Sequence, residues 1–197
     1  LWLQSWRQQL IIFCRSSIWK ITGNSTDFTS ATPFTLAPIT QKIGCIEGRS
    51  VQELNGDLVF LSADGIRTIS GTANIGDTEI SSISRPIHNI IRDINAVTTP
   101  VHSLVISQKN QYRLFYPPPE ETELALCKGI IGGIRRFRST DKEGWEWGEL
   151  RGMKPSAVAS GYFSSGDEYV IHGGYDGYIY REEQGTSFNS VSAENPY

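Results

Sequence analysis

The sequence is poor in cysteine, the residue that most often marks a redox site, a disulfide framework or a zinc site. It has three cysteines, Cys14, Cys45 and Cys127, in 197 residues. They are odd in number, far apart and without a Cys-x-x-Cys pair. This pattern argues against both a disulfide framework and a zinc site, and it indicates reduced thiols that pack as small hydrophobic residues.

Histidine is equally scarce. The three histidines, His88, His102 and His172, have no histidine or cysteine neighbour at ligand spacing, which argues against a metal site. The glycines that follow His172 lack the Lys-Ser/Thr helix start of a phosphate-binding loop, and the chain has no Gly-x-Ser-x-Gly motif. We therefore expect no catalytic residue, no metal site, no cofactor and no enzymatic activity.

Long apolar runs and an excess of positive charge are also missing. The chain has 18 Lys and Arg against 21 Asp and Glu, which argues against a nucleic-acid or membrane binder driven by net charge. No apolar run approaches the roughly 18 to 20 residues of a membrane span, so membrane insertion is not expected. The chain begins Leu1-Trp2-Leu3 and shows no signal-peptide pattern, which predicts a fragment of a longer polypeptide.

What the sequence does contain is a clear hairpin at Leu58 to Gly71, LVFLSADGIRTISG. A continuous apolar run is followed by a turn and a more alternating strand. A glycine after aspartate can take a positive φ, so we assign Asp64 and Gly65 to the turn. The continuous run is typical of a strand that is covered on both faces.

Related hairpins occur elsewhere in the chain, which predicts a repeat protein. Leu10 to Gly23 aligns with the first hairpin at a constant offset of 48 residues without gaps. Tyr169 to Arg181 carries Asp176 and Gly177, which lie 112 residues after the Asp-Gly pair of the first hairpin. A further copy is predicted at Val101 to Tyr116.

Units of about 50 residues built on hairpins are typical of β-propeller blades. We predict an all-β fold, a single β-propeller region over residues 1–197 with about three or four blades; an antiparallel meander is the alternative. Isoleucines at helical spacing predict one short inserted helix within Ser82 to Ile94, near Pro86 to Ile94, with Ser84 as a candidate cap. This inter-blade helix should pack its isoleucines on a sheet.

Two segments are candidates for chemistry. Residues 139–147 loosely resemble the Asp-box of sialidase propellers, which is a structural turn; the nearby carboxylates are Asp141, Glu143, Glu146 and Glu149. A glycosidase needs two carboxylates about 5 to 10 Å apart across a sugar, and closeness in sequence does not establish that geometry. Trp145 and Trp147 alternate as on a strand with one covered face, so at least one should be a core or interface residue.

The other candidate is the cluster Arg135, Arg136 and Arg138, the densest basic segment of the chain. It could contact DNA phosphates or an acidic partner. The alternative, which we favour, is a solvated strand end whose charges pair with Asp141 and Glu143.

Three strings together resemble the tail nozzle proteins of short-tailed bacteriophages, also called tail tubular protein B. They are LIIFCRSSIWKITG, then IGCIEGRSVQELNGDLVFLSADGIRTISG at Ile43 to Gly71, and GYDGYIYREEQGTSFN at Gly174 to Asn189. The helix at Pro86 to Ile94 also suits the inter-blade helix of these proteins. The likeness extends over most of Leu10 to Asn189 and consists of structural motifs.

The resemblance implies a structural virion protein. Such a subunit is made in the host cytoplasm and forms a homohexameric tube at the distal end of the phage tail. It binds a tail adaptor protein and tail fibre proteins, and viral DNA passes through it during genome ejection. Two other classes remain open on the residues alone: a carbohydrate-binding or glycan-hydrolysing propeller for host recognition, and an intracellular scaffold propeller that binds peptides.

Overall fold

The fold is given by a computed structural model that describes residues 1–23, 34–73, 82–96, 101–116, 122–123, 126–137 and 142–182. For residues 73, 95, 96, 136, 137, 142 and 143 it describes the backbone only. These described residues form four antiparallel sheets joined by short helices, and each sheet is made of strands that are consecutive in the chain. The predicted all-β fold of antiparallel blade-type sheets is confirmed.

We number the sheets I to IV in chain order. Sheet I contains β1 (Trp2–Trp6), β2 (Gln9–Phe13), β3 (Ile18–Gly23) and β4 (Phe34–Thr40). Sheet II contains β5 (Gln52–Leu54), β6 (Asp57–Ser62) and β7 (Gly65–Thr68). Sheet III contains β8 (His102–Ile106), β9 (Gln111–Phe115), β10 (Lys128–Phe137) and β11 (Lys142–Arg151), and sheet IV contains β12 (Ala157–Tyr162), β13 (Glu168–Gly173) and β14 (Ile179–Arg181).

The predicted repeat at an offset of 48 residues is present in the structure. In sheet I, Phe13 pairs with Ile18, and in sheet II the residues 48 positions later, Leu61 and Ile66, pair with each other. The two central hairpins therefore have the same register. The predicted hairpins at Val101 to Tyr116 and Tyr169 to Arg181 are also present, as β8 with β9 and β13 with β14.

The end of the hairpin at Leu58 to Gly71 differs from the prediction. The alternating strand was expected to continue to Ser70, but β7 ends at Thr68 and a five-residue helix, α1 (Ile69–Ala73), follows. The hydroxyl of Thr68 accepts a hydrogen bond from the Gly71 N–H at 3.2 Å, as an N-cap residue does. The cap therefore begins α1 at Ile69. The equivalent residues 48 positions earlier, from Ile21 on, continue β3 instead.

The inserted helix lies where it was predicted. A 3-10 turn at Arg85–Ile87 carries Pro86 in its first turn and leads into α2 (His88–Ala96). The isoleucine stripe packs on the core between sheets II and III, and Ile91 is 1% exposed. Ser84 is at the cap position but makes no capping bond; its hydroxyl accepts from the Ile66 N–H of β7 at 2.8 Å instead. The predicted cap position is therefore correct, but the Ser84 side chain binds a strand and makes no capping bond.

The sheets pack face to face in chain order. In β6, Leu58 and Phe60 contact the core shared with sheet I, whereas Val59 and Leu61 contact the core shared with sheet III. The core between sheets III and IV contains residues from both of them, Leu104, Ile106, Phe115, Leu150, Val158 and Val170, together with Met153 from the connection between them. Sheets II and III are thus covered on both faces, and for sheet II the continuous apolar run of β6 predicted this.

The row of sheets has two uncovered ends in the part of the chain that is described. Leu36 of sheet I is 58% exposed and Ile179 of sheet IV is 76% exposed. The first copy of the repeat was expected to be covered on both faces, and this expectation is wrong within the described residues. In β2, Ile11 and Phe13 are buried against sheet II, but Leu10 is 36% exposed on the opposite face.

Candidate functional site

The Asp64-Gly65 turn is a structural element. Gly65 has a φ of +142°, and a Cβ there would lie 2.5 Å from Ser82 Oγ and 2.6 Å from Ser84 Oγ. Because Ser84 also binds the Ile66 N–H, the segment before α2 closes tightly over this turn. The turn assignment is confirmed, and the glycine serves backbone shape and close approach.

Asp64 has a second role that the sequence reading missed. Arg67 is almost fully buried, with 1% of its side chain exposed, and it donates from Nε to Asp64 Oδ1 at 2.9 Å and from Nη2 to Oδ2. Partial burial alone would raise the pKa of Asp64, but the hydrogen bond and charge of Arg67 outweigh it and lower that pKa. The negative charge of Asp64, in the turn, thus compensates the positive charge of the buried Arg67 side chain.

The second Asp-Gly turn is exposed and lies beyond β13. Gly177 has a φ of +85°, and Asp176 Oδ1 accepts from the Tyr178 N–H at 3.2 Å. The hydroxyl of Tyr180 donates to Asp176 Oδ2, which lowers the pKa of Asp176 and raises the pKa of Tyr180. The predicted role of Asp176 and Gly177 as turn formers is confirmed.

The arginine cluster is only partly described. Arg135 is exposed and donates to Glu146 Oε2 at 3.0 Å, so its described partner is Glu146 where Asp141 and Glu143 had been expected. The register explains this pairing: Arg135 is opposite Gly144, and Glu146 is its diagonal neighbour on the same face. Only the backbone of Arg136 is described, and Arg138 and Asp141 lie outside the described residues.

The tryptophans next to this cluster are confirmed as partly buried residues. Trp145 and Trp147 stack with ring centroids 5.3 Å apart, and both pack on the core between sheets II and III. The indole N–H of Trp147 donates to the Ile83 carbonyl at 2.8 Å, which ties β11 to the segment before α2. Glu146 and Glu149 are three residues apart on β11 and so point to opposite faces of the sheet.

The remaining candidate side chains are dispersed. His88 lies on α2, His102 on β8 and His172 on β13, and the described residues contain no group of three metal-ligating side chains placed around one point. His172 stacks on Tyr180, with its Nδ1 2.5 Å from Glu182 Oε1. None of the three cysteines is in a disulfide, and burial raises the pKa of Cys45.

Among the described residues, one face of sheet I carries many apolar side chains that no other sheet covers. Side chains alternate across a strand, so the register identifies those that point away from sheet II. We call this set the outer face of sheet I, and it consists of Leu3, Ser5, Leu10, Ile12, Trp19, Ile21, Phe34, Leu36 and Pro38. Leu3, Phe34 and Leu36 are each more than half exposed. All members except Ser5 are apolar, a composition typical of a face that is covered by another protein surface.

The outer face of sheet IV is of different character. The side chains that point away from sheet III belong to Ala157, Ala159, Gly161, Tyr169, Ile171, Gly173, Ile179 and Arg181. Tyr169 lies across Gly161 and packs on Phe163, with ring centroids 4.5 Å apart, and Arg181 lies over the Phe163 ring. The central strand of this face therefore carries Tyr169 and Ile171, and the small residues Ala157, Ala159 and Gly161 lie on the edge strand β12, where Tyr169 covers Gly161.

Comparisons with known proteins give no family for this chain. No protein-family model matches the sequence, and no curated protein is significantly similar to it. In the part of the chain that is described, no helix is long and apolar enough to cross a bilayer. The candidate functional site is thus defined by the molecule itself, as the pair of uncovered outer faces.

The uncovered outer faces were not predicted from the sequence. A signal was present in the sequence, since β2 has the same continuous apolar run as β6, which is covered on both faces. In the described residues, Leu10 of β2 is nonetheless 36% exposed. The apolar pattern of β2 therefore favours a cover for Leu10 that lies outside the described residues.

Proposed function

We propose that this chain is a non-enzymatic structural subunit of a phage tail nozzle, located in the virion and assembled with copies of itself. The observation that carries the assembly role is the apolar outer face of sheet I, on which eight of nine side chains are apolar. Exposed apolar patches of this kind favour a protein–protein interface. The nozzle assignment is supported by the resemblance of the hairpin motifs.

In this proposal the face-packed sheets form a rigid wall, since sheets II and III are covered on both faces. Copies assemble into a ring, the tail adaptor protein and tail fibre proteins bind at its ends, and viral DNA passes through the channel. Arg135 and its neighbours are candidates for transient phosphate contacts, although Arg135 is already paired with Glu146.

The experiment is a size measurement by light scattering, together with electron microscopy of the protein alone and with its adaptor protein. Sixfold rings that join tail particles support the proposal. A protein that stays monomeric at all concentrations and never enters particles would overturn it.

A second candidate function is glycan binding at the cell surface, and one observation favours it. Three exposed tyrosines, Tyr175, Tyr178 and Tyr180, surround Asp176 in the last turn, and Tyr178 is 68% exposed. Aromatic rings beside a carboxylate are typical of sugar-binding surfaces, because a ring packs on the apolar face of a sugar. A glycan array separates the two functions: saturable binding that is lost in Tyr178→Ala supports this candidate, and no binding on a broad array refutes it.

A further inference from the structure

The last strand of each sheet is an edge strand, and three of these four edges are blocked or very short. β4 contains Pro38, which has no backbone N–H to donate, and its pairing with β3 includes a register shift. The outer edge of β7 is occupied by the segment before α2, where Ser82 bridges to Arg67. β14 has only three residues. Proteins protect their sheet edges from further pairing by such features.

The last strand of sheet III has none of these features. β11 pairs with β10 over ten consecutive residues without a register shift, and it contains no proline. Just beyond this ladder the Gly152 N–H donates to the Cys127 carbonyl at 3.2 Å, so the even-numbered residues of β11 form the hydrogen-bonded pairs with β10. The odd-numbered residues point their backbone N–H and C=O groups to the other side, where no described strand pairs with them. These residues are Glu143, Trp145, Trp147, Glu149 and Arg151.

We propose that the free edge of β11 is a docking site for an extended peptide segment of another protein, which adds to sheet III as a fifth strand. Each outward-pointing residue offers one donor and one acceptor, and the row of them extends over about 30 Å. An extended peptide has unpaired backbone groups at the same spacing, whereas a helix has already paired its own. Main-chain hydrogen bonds therefore supply the affinity of this contact, as in other cases of strand addition. The inference uses only the sheet edge and is independent of the proposed tail function.

The side chains along β11 indicate the composition of the peptide. On the face toward sheet II, Trp145 and Trp147 pack on the core but are only partly buried. Residues of an added strand on this face should be apolar, because cross-strand contacts then complete the cover of the two rings. On the opposite face, Glu146 has 45% of its side chain exposed, and its carboxylate can accept from a second donor besides Arg135. The expected partner is therefore a segment in which apolar and basic residues alternate.

The probe is a synthetic ten-residue peptide in which valine and lysine alternate, and its binding is measured by fluorescence anisotropy of a labelled copy. Two further peptides carry backbone N-methyl groups, one on every valine and the other on every lysine. In a strand that is paired on one side, every second N–H donates to the neighbouring strand and the others point away. We therefore expect one methylated peptide to bind as the unmodified peptide does and the other to lose about tenfold or more in affinity.

A proline substitution on the protein tests the same edge from the other side. Glu149→Pro removes one outward-pointing N–H and keeps the ladder with β10, so it should fold and weaken peptide binding about tenfold. Glu149→Ala is the matched control, because it loses the same side chain and keeps the N–H. Circular dichroism and thermal unfolding verify the fold, and Glu143→Pro is the replacement if Glu149→Pro does not fold. Amide hydrogen exchange at Trp145 and Trp147 should slow when the peptide is bound.

Four results would overturn the proposal. The first is a peptide that does not bind at concentrations up to about 1 mM. The second is equal binding of the two methylated peptides, which would show that side chains alone make the contact. The third is equal peptide binding by Glu149→Pro and Glu149→Ala, which would place the site elsewhere. The fourth is a protein that dimerises through β11 without peptide and loses the dimer in Glu149→Pro, because the occupant is then a second copy.

Discussion

The turn at Gly65 allows the sharpest test of the fold. We consider Gly65→Ala, the smallest substitution that adds a Cβ. The residue has a φ of +142°, which costs a non-glycine residue about 1 to 3 kcal/mol. The added carbon would also lie 2.6 Å from Ser84 Oγ and displace it from the Ile66 N–H, a buried hydrogen bond whose loss costs about 1 to 3 kcal/mol.

The two effects together predict a loss of about 2 to 6 kcal/mol in the free energy of unfolding. Urea denaturation followed by circular dichroism measures this loss. Gly177→Ala is the control, because Gly177 also has a positive φ but no heavy atom lies within 4 Å of its added Cβ. That variant should lose about 1 to 2 kcal/mol from backbone strain alone.

A second control isolates the steric clash from the strain. In a Ser82→Ala/Ser84→Ala background the two hydroxyls are gone, so the additional cost of Gly65→Ala should fall to that of its backbone strain, about 1 to 3 kcal/mol. The reasoning is refuted if Gly65→Ala costs no more than Gly177→Ala in the unmodified protein. It is also refuted if the cost of Gly65→Ala is the same in both backgrounds.

Two further predictions concern side-chain pairs. Asp64→Asn should reduce stability by about 1 kcal/mol at pH 7, a value kept small because the carboxylate is half exposed. The pKa of Asp64 is lowered in the fold, so its contribution is fully present above the unfolded pKa of 3.8 and is lost as the pH falls through the lower folded pKa. Urea midpoints from pH 7 to pH 2 should therefore converge for the variant and the unmodified protein, and a constant difference would contradict the Arg67 pairing. Trp147→Phe should reduce the free energy of unfolding by about 1 kcal/mol, measured by thermal unfolding, since the Ile83 carbonyl loses its donor. An unchanged unfolding temperature would contradict this.

The hairpins could be predicted because they depend on short-range patterns. Apolar runs of strand length, Asp-Gly turns and the 48-residue offset together locate β2 with β3 and β6 with β7, and even their shared register follows from the alignment. The isoleucine stripe of α2 is likewise a local signal, since helical spacing appears directly in the sequence.

What could not be predicted depends on long-range neighbours. The sequence around Ser84 does not show that its hydroxyl binds the Ile66 N–H and does not cap its own helix, because the two residues are 18 positions apart. The burial of Arg67 is similar: an arginine on a strand is usually solvated, and only the packing of sheets on both sides of β7 places it in the interior.

The candidate site was missed for the same physical reason. Whether Leu10 is covered depends on which sheets lie beside β2, and a hairpin pattern is the same in the middle and at the end of a row. The nozzle resemblance stays a prediction, since it consists of motifs that specify turns and strands and contains no residue whose chemistry the structure can test.

The chain-order pairing within every sheet has a consequence for how the protein forms during synthesis. In the described residues, every strand pairs with a strand that is next to it in the chain. Each hairpin can therefore form as soon as it leaves the ribosome. Closing short loops loses little entropy, and early pairing leaves few strand edges open to other chains. A growing polypeptide of this kind adds one finished layer at a time, because each sheet is complete before the strands of the next sheet are made.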